Sequence, residues 1–247
     1  MRILVAGMEG TGKSILMLSA AKLGGLAIAD TEFGAHNYLT PHPNGEAKRF
    51  TLIPRVKKML GIDEAVHPLI AWIQSNDLTQ IRSFMEAAAK DERFMTLGLD
   101  SASILWDIAS SAVKGGEDRN EWNRVKQPLR MLQYLVLASK KHYIFTTHMN
   151  KAFNEDMTKV VGEFPWSEKK DPHWGDLNVK MIMSPTGPKA VVLKERSAGI
   201  LKKGDIIDKP SLEKFLTLWG QGEIIGTPLD PVEAAYRVDA AGKKGGN

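Results

Sequence analysis

Short apolar runs and longer amphipathic stretches alternate along most of this chain. The apolar runs have the length and composition of buried strands, and they lie at 2–6, 26–30, 69–74, 95–100 and 143–147. Apolar positions at helical spacing lie between these runs and predict helices at 13–22, 78–89, 103–113 and 121–140. Because strands separated by helices favour a parallel sheet covered by helices, the pattern predicts the α/β class.

Individual residues mark where some of these helices begin or bend. Asn76 and Asp77 are both candidates for the N-cap of the second helix, since a side-chain oxygen there can accept backbone N–H groups. Pro128 lies inside the fourth helical stretch and is expected to kink it or to mark a restart.

The pattern changes after the fifth strand. Apolar segments at 179–183 and 190–194 flank a turn rich in Pro and Gly, which predicts a β-hairpin near the C-terminus. Two stretches, 34–67 and 149–176, lack clear periodicity, and loops of that length are usually functional or disordered. Residues 1–220 are therefore predicted to form one domain, and residues 221–247 a C-terminal extension with a disordered basic tail.

Composition narrows the class of protein. The 247 residues include no cysteine, which excludes disulfides, thiolate catalysis and cysteine-based zinc sites. No apolar run approaches the ~18 residues of a membrane span, and the first apolar run is too short for a signal-peptide core. We therefore expect a cytoplasmic protein with no membrane partner. The net charge of +4 mildly favours a polyanionic partner.

A phosphate-binding motif directly follows the first predicted strand. Its fixed positions match G-x-x-x-x-G-K-[ST], and its residues are Gly7, Met8, Glu9, Gly10, Thr11, Gly12, Lys13 and Ser14. Glycines allow the backbone N–H groups to curl around phosphates, and the helix that follows directs its positive end to the same place. Lys13 is expected to neutralise the β- and γ-phosphates, and Ser14 to offer its hydroxyl to Mg²⁺. The motif predicts a nucleotide site.

Carboxylates follow two other predicted strands. Asp100 ends the apolar run 95–100 and is the expected second Mg²⁺ ligand, although a strand-end Asp can instead cap the next helix. Asp30 and Glu32 follow the second strand, and ligands of doubly wound sheets bind at the carboxyl ends of strands. Glu32 is the preferred candidate to orient or deprotonate an attacking water, and Asp30 is the competing candidate. Both could also be solvated loop carboxylates.

Taken together, these segments resemble the ATPase core of the RecA/RadA-type recombinases. The resemblance rests on the P-loop, on Asp30-Thr31-Glu32, on Leu99-Asp100-Ser101 and on the run 143–148, Tyr-Ile-Phe-Thr-Thr-His. The likeness is greatest to core-only phage ATPases that are grouped with RecA-like single-strand-annealing proteins, and it extends over roughly residues 1–219. It implies a RecA-like P-loop fold, ATP as the nucleotide and Mg²⁺ as the metal.

The resemblance also implies roles for individual side chains. Glu32 occupies the position of the family's catalytic glutamate, and His148 that of a polar residue that senses the γ-phosphate. Lys194 and Arg196 resemble a pair of hairpin cations that reach the ATP of a neighbouring subunit, which implies a homo-oligomer. The alternative for His148 is an interior histidine with ordinary hydrogen bonds. The alternative for Lys194 and Arg196 is that they are edge-strand charges that discourage aggregation.

Single-stranded DNA is the partner that this resemblance implies, through loops at about 114–122 and 149–176. The second loop has four basic and six acidic residues, a net charge of −2, but it contains four aromatic residues able to stack on bases: Phe153, Phe164, Trp166 and Trp174. These aromatics could equally pack onto the core or a neighbouring subunit. A separate basic cluster, which is either a solvated face or a track for phosphates, comprises Lys48, Arg49, Arg55, Lys57 and Lys58.

The sequence therefore predicts a Mg²⁺-dependent ATPase that binds single-stranded DNA in phage recombination or strand annealing. One alternative is a module in which ATP switches assembly with negligible turnover. Another is a small-molecule P-loop kinase, which usually carries an arginine-rich lid. The stretch 149–176 contains no arginine, so the kinase is disfavoured.

Overall fold

The computed structural model describes residues 1–111, 113, 119–154, 156–166, 175–196 and 201–220. The predicted extension, 221–247, lies outside the described residues. The elements, in chain order, are β1 (Arg2–Gly7), α1 (Lys13–Leu18), β2 (Gly25–Asp30), β3 (Leu39–Pro41), β4 (Arg49–Leu52), α2 (Pro54–Leu60), β5 (Ile70–Gln74), α3 (Leu78–Lys90), β6 (Phe94–Asp100), α4 (Ala102–Ser111), α5 (Arg119–Ala138), β7 (His142–Phe153), β8 (Val160–Trp166), β9 (Leu177–Ser184), β10 (Gly187–Glu195), β11 (Ile206–Asp208) and α6 (Leu212–Gly220).

Six neighbouring strands form the parallel centre of the sheet. Their order is β9-β1-β7-β6-β2-β5, so β7 separates β1 from β6. Antiparallel strands extend both sides, with β10 and β11 beyond β9 and with β4 and β3 beyond β5. The predicted C-terminal hairpin is thus confirmed as β9 and β10. We call the side where the parallel strands end the carboxyl edge.

The core has two layers because successive strand side chains point to opposite faces of the sheet. Ile3 and Val5 of β1 belong to one layer, which includes buried residues of α1, α2 and α6. Leu4, between them, belongs to the other layer, which includes buried residues of α3, α4 and α5. The parallel strands are therefore covered on both faces, as their nearly continuous apolar sequences predict.

Most of the predicted elements are confirmed, and the helix boundaries add detail. Asp77 is the N-cap of α3, and its carboxylate accepts the N–H groups of Thr79 and Gln80. Pro128 neither ends nor restarts α5, which continues from 119 to 138. The first predicted helix is α-helical only to Leu18 and continues as a 3₁₀ turn over Ser19–Lys22.

The two stretches that lack periodicity contain regular structure. Within 34–67 the chain forms β3, β4 and α2, and within 149–176 the strand β7 continues to Phe153 and pairs with β8. The prediction of long loops was wrong here, because most β8 side chains are exposed and a strand without a buried face leaves no alternating pattern. No helix among the described residues is long and apolar enough to span a membrane.

Candidate nucleotide-binding site at the carboxyl edge

The P-loop backbone has the conformation that its glycines permit. Gly10 and Gly12 have φ angles of +74° and +92°, in the left-handed region that favours glycine. A Cβ on Gly7 would lie 2.7 Å from Thr11 Oγ1 and 3.1 Å from the backbone oxygen of Met181. The loop therefore turns tightly between β1 and α1, as the motif predicts.

Lys13 lies inside this loop with its side chain almost fully buried. Its Nζ donates to the backbone oxygens of Gly7 and Met8, both at 3.1 Å. Burial lowers the pKa of the Lys13 ammonium, whereas the nearby carboxylates of Glu32, Asp100 and Glu9 raise it. The Lys13 ammonium thus lies inside the P-loop, within the influence of three acidic side chains.

Ser14 and Asp100 are in direct contact although 86 residues separate them. The Ser14 hydroxyl donates to Asp100 Oδ2 at 2.8 Å. Thr146, on β7, donates its hydroxyl to the other oxygen of the same carboxylate. Burial raises the pKa of Asp100, and the hydrogen bonds from Thr146 and Ser14 oppose that rise. The end of β6 is thereby joined to the start of α1.

These two residues have the chemistry that Mg²⁺ requires. Mg²⁺ is commonly held by one or two protein oxygens, with water and substrate phosphates completing its shell. An adjacent hydroxyl and carboxylate, beside a phosphate-binding loop, fit that description. Among the described residues no group of three or more His, Cys, Asp or Glu side chains could hold a metal alone. A site shared with phosphates therefore fits these residues better than a closed protein cage.

Asp30 and Glu32 occupy different environments. Asp30 is 1% exposed, and its carboxylate accepts N–H groups from Glu32, Gly34, Ala35 and the Trp72 indole. The Glu32 side chain is 29% exposed, and its Oε1 lies 2.9 Å from His148 Nε2. His148 belongs to β7 just beyond the carboxyl edge, and its backbone N–H donates to Ser103 Oγ at 3.3 Å.

The structure brings Lys13, Ser14, Asp100, Glu32 and His148 together, but it does not bring Lys194 and Arg196 to them. Strand β10 runs antiparallel to β9, so Lys194 pairs with Asn178, near the amino end of β1. Both cations thus follow the strand away from the P-loop of their own chain. Burial and the Arg196 charge lower the pKa of Lys194, and Asp176 raises it.

The aromatic residues of the second predicted DNA loop divide into two groups. Trp166 contacts the domain, because its Nε1 donates to Asp107 Oδ1 of α4 at 2.7 Å. Phe153 and Phe164 are more than 40% exposed on the projecting β7/β8 hairpin. Trp174 lies outside the described residues, as does most of the first predicted loop, 114–122.

The basic cluster predicted at 48–58 does not form one face. Arg49 pairs with Glu46 at 2.9 Å and with Asp91 at 3.7 Å. Lys57 is buried, and its Nζ donates to the backbone oxygen of Glu64. Two of the five cations are thus engaged within the domain, which weakens the hypothesis of a phosphate track.

Two contact residues of the site were missed in the sequence. Thr146 bonds Asp100, and Trp72 bonds Asp30. Thr146 lies at the end of an apolar strand, where a polar pair interrupts the run, so a signal was present. Trp72 lies inside a strand and gives no signal, because only the register of β2 and β5 brings it beside Asp30.

Comparisons with known proteins gave a family match and a similar solved structure. The family model described as AAA domain matches residues 1–196. The crystal structure of the RadB recombinase is similar in fold, with a TM-score of 0.48 and 16% sequence identity over 83% of this chain and 84% of that chain. No curated protein matches the sequence. The predicted α/β P-loop class, with a mostly parallel sheet flanked by helices and a C-terminal hairpin, is confirmed.

Proposed function

Because this chain belongs to the AAA domain family, we propose that it hydrolyses ATP in a Mg²⁺-dependent reaction at the carboxyl edge. The observation that carries the proposal is the contact between Ser14 and Asp100 at 2.8 Å. In this contact a hydroxyl and a carboxylate lie beside the P-loop. Glu32 follows the end of β2, the strand that neighbours β6. A structural glycine turn would need none of these side chains.

The roles of the side chains follow from their positions. Lys13 neutralises charge on the phosphates, and Glu32 accepts the proton of the attacking water. His148, bonded to Glu32 at 2.9 Å, holds that carboxylate and responds to the γ-phosphate. Ser14 and Asp100 would hold Mg²⁺, which when bound neutralises phosphate charge and orients the leaving group.

A neighbouring subunit completes the site in this proposal. Lys194 and Arg196 lie away from their own P-loop, so they can act only on the nucleotide of another copy. A cation that reaches the γ-phosphate from a neighbour stabilises the charge of the transition state, as an arginine finger does. The active form is then a homo-oligomer.

Single-stranded DNA is the proposed polymeric partner, in phage recombination or strand annealing. The β7/β8 hairpin projects beyond the carboxyl edge next to His148, and it exposes Phe153 and Phe164. Aromatic side chains stack on bases of any sequence, and each such contact contributes about 1–3 kcal/mol. Because the hairpin has few basic residues, stacking is the interaction by which it would bind DNA.

The test is the ATP turnover rate with Mg²⁺, with and without single-stranded DNA, at two salt concentrations. We expect turnover that DNA accelerates. Phe164→Ala should weaken DNA affinity by about 5- to 150-fold, the equivalent of 1–3 kcal/mol. The matched control is Tyr134→Ala, which removes an aromatic that is 68% exposed on α5, away from the hairpin, and should leave DNA affinity unchanged.

The outcomes separate the candidate functions. Turnover that DNA does not affect would contradict the DNA partner and leave an ATPase. Tight ATP binding with no turnover would support the ATP-switched module. Phosphate transfer to an added small molecule would support a kinase.

A further inference from the structure

We propose that Asp30 is a positioning residue, which fixes the turn that carries Glu32. This inference rests on the proposed function, since it concerns the same reaction. It assigns Asp30 a role that differs from that of a catalytic base. Asp30 acts through the position of another carboxylate and does not itself touch the water.

The contacts of Asp30 leave little room for base chemistry. Its Oδ1 accepts the backbone N–H groups of Glu32 at 3.0 Å and Gly34 at 3.4 Å. Its Oδ2 accepts the N–H of Ala35 at 2.9 Å and the indole N–H of Trp72 at 3.3 Å. Both oxygens thus accept from two donors each, and Asp30 is 1% exposed. A carboxylate that accepts four N–H groups organises the backbone around it.

The turn that Asp30 organises is strained at the residue after Glu32. Phe33 has φ = +59°, a conformation that is a genuine outlier for a bulky side chain and costs of order 1–3 kcal/mol. Phe33 is 44% exposed, so burial does little to offset that cost. The N–H groups on both sides of Phe33, those of Glu32 and Gly34, donate to Asp30 Oδ1. These hydrogen bonds hold the backbone in the strained form.

The strained turn determines where the Glu32 carboxylate lies. The backbone oxygen of Asp100 also accepts the N–H of Glu32, at 3.3 Å, and the N–H of Thr31. Glu32 is therefore fixed at its backbone between the ends of β2 and β6, and its side chain reaches His148 across the edge. Release of the turn would allow Phe33 to relax and would move Glu32 away from its place.

The test is a double-mutant cycle on ATP turnover with Asp30→Asn, Glu32→Gln and the double variant. Asparagine has the same shape, but its side chain has one acceptor oxygen where the carboxylate has two. Some of the N–H groups that Asp30 accepts then lose their acceptor, and the turn loosens. We expect kcat to fall by about 10- to 100-fold, as for a misplaced catalytic group. The dissociation constant for ATP should change less than about 3-fold, because the loss affects the reaction step. In the Glu32→Gln background the same change should alter the residual rate by less than about 2-fold.

Asp77→Asn is the matched control. Asp77 also accepts two backbone N–H groups, as the N-cap of α3, but it does not touch the turn of Glu32. Because Asn caps helices about as well as Asp, this variant should leave kcat unchanged and Tm nearly so. Trp72→Phe is a second, milder variant that removes one donor to Asp30 and keeps an aromatic ring beside Phe50. It should lower kcat with only a small loss of Tm, because part of the packing of Trp72 on Phe50 is kept.

Three results would overturn the inference. They are an equal loss of rate from Asp30→Asn in both backgrounds, an unchanged kcat in Asp30→Asn, and a loss of ATP binding that parallels the loss of rate. If Asp30→Asn does not fold, an unchanged kcat in Trp72→Phe would overturn it instead. Failure of the proposed function is distinguishable, because then either the unaltered protein would show no turnover or Glu32→Gln alone would leave turnover intact.

Discussion

Removal of either partner of the Ser14–Asp100 contact should raise the Mg²⁺ concentration that turnover requires. The variants are Ser14→Ala, Asp100→Asn and the two together. The side chains meet at 2.8 Å, and Asp100 is 8% exposed, so a bond from the hydroxyl to this buried carboxylate has a net value of about 1.5–3 kcal/mol. Asp100→Asn also removes the charge that attracts the metal, and therefore should have the larger effect.

Each variant removes one oxygen that would hold the metal, and we take the loss to be of the same order as the value of the Ser14–Asp100 bond, about 1.5 kcal/mol for the neutral hydroxyl and about 3 kcal/mol for the charged carboxylate. Since about 1.4 kcal/mol corresponds to a factor of ten, the half-activating Mg²⁺ concentration should rise about 10-fold in Ser14→Ala and about 100-fold in Asp100→Asn. The double variant should show less than the sum of the two losses in free energy, because both act on one contact. Nucleotide binding should be partly retained, as the P-loop backbone is unchanged.

The assay is the initial rate of ATP turnover at saturating ATP across a Mg²⁺ titration. Asp208→Asn is the control, since this exposed carboxylate of β11 pairs with Lys189 at 2.9 Å and lies outside the site. Its titration should match that of the unaltered protein. An unchanged Mg²⁺ requirement in Asp100→Asn would refute the reasoning and would point to another carboxylate. Fully additive losses in the double variant would show that the two side chains act separately.

Two further predictions concern assembly and packing. Lys13→Ala and Arg196→Ala should each abolish or greatly lower turnover. A mixture of the two should regain part of the activity, because some interfaces then join an intact P-loop to an intact cation. If the mixture shows no recovery and activity does not depend on protein concentration, the enzyme is monomeric. Gly25→Ala should lower stability by about 1–3 kcal/mol or more, because its Cβ would lie 2.1 Å from the backbone oxygen of Arg93. Gly162→Ala, where a Cβ meets nothing within 4 Å, is the control in thermal unfolding, and equal Tm shifts would contradict the register of β2 and β6.

Local chemistry explains which parts of the site the sequence could predict. The P-loop is a contiguous motif whose glycines have the required φ angles, and Asp100 ends an unmistakable apolar strand. The sequence does not show which of Asp30 and Glu32 is buried. Asp30 is enclosed in part by Trp72, which only the pairing of β2 with β5 brings to it, and Glu32 meets His148 from another strand.

The same reasoning applies to the fold. Buried parallel strands are apolar along their length and were predicted, whereas the β7/β8 hairpin projects from the sheet and has no buried face to give a pattern. The short strand β11 carried too few residues for any periodicity. Helix α6 did carry a signal, because Leu212, Phe215, Leu216 and Trp219 recur at helical spacing, and the first two are fully buried.

The central claim is that Glu32 activates water for hydrolysis of ATP held by the P-loop, and the nucleotide bound to Glu32→Gln tests it most directly. The amide keeps the shape of the side chain but cannot accept the proton. After incubation with ATP and Mg²⁺, the unaltered protein should contain mostly ADP, and Glu32→Gln should contain intact ATP at nearly unchanged affinity. Its single-turnover rate should be lower by about 10²-fold or more. ADP in Glu32→Gln at the normal rate, with ATP trapped by Asp30→Asn instead, would contradict the claim.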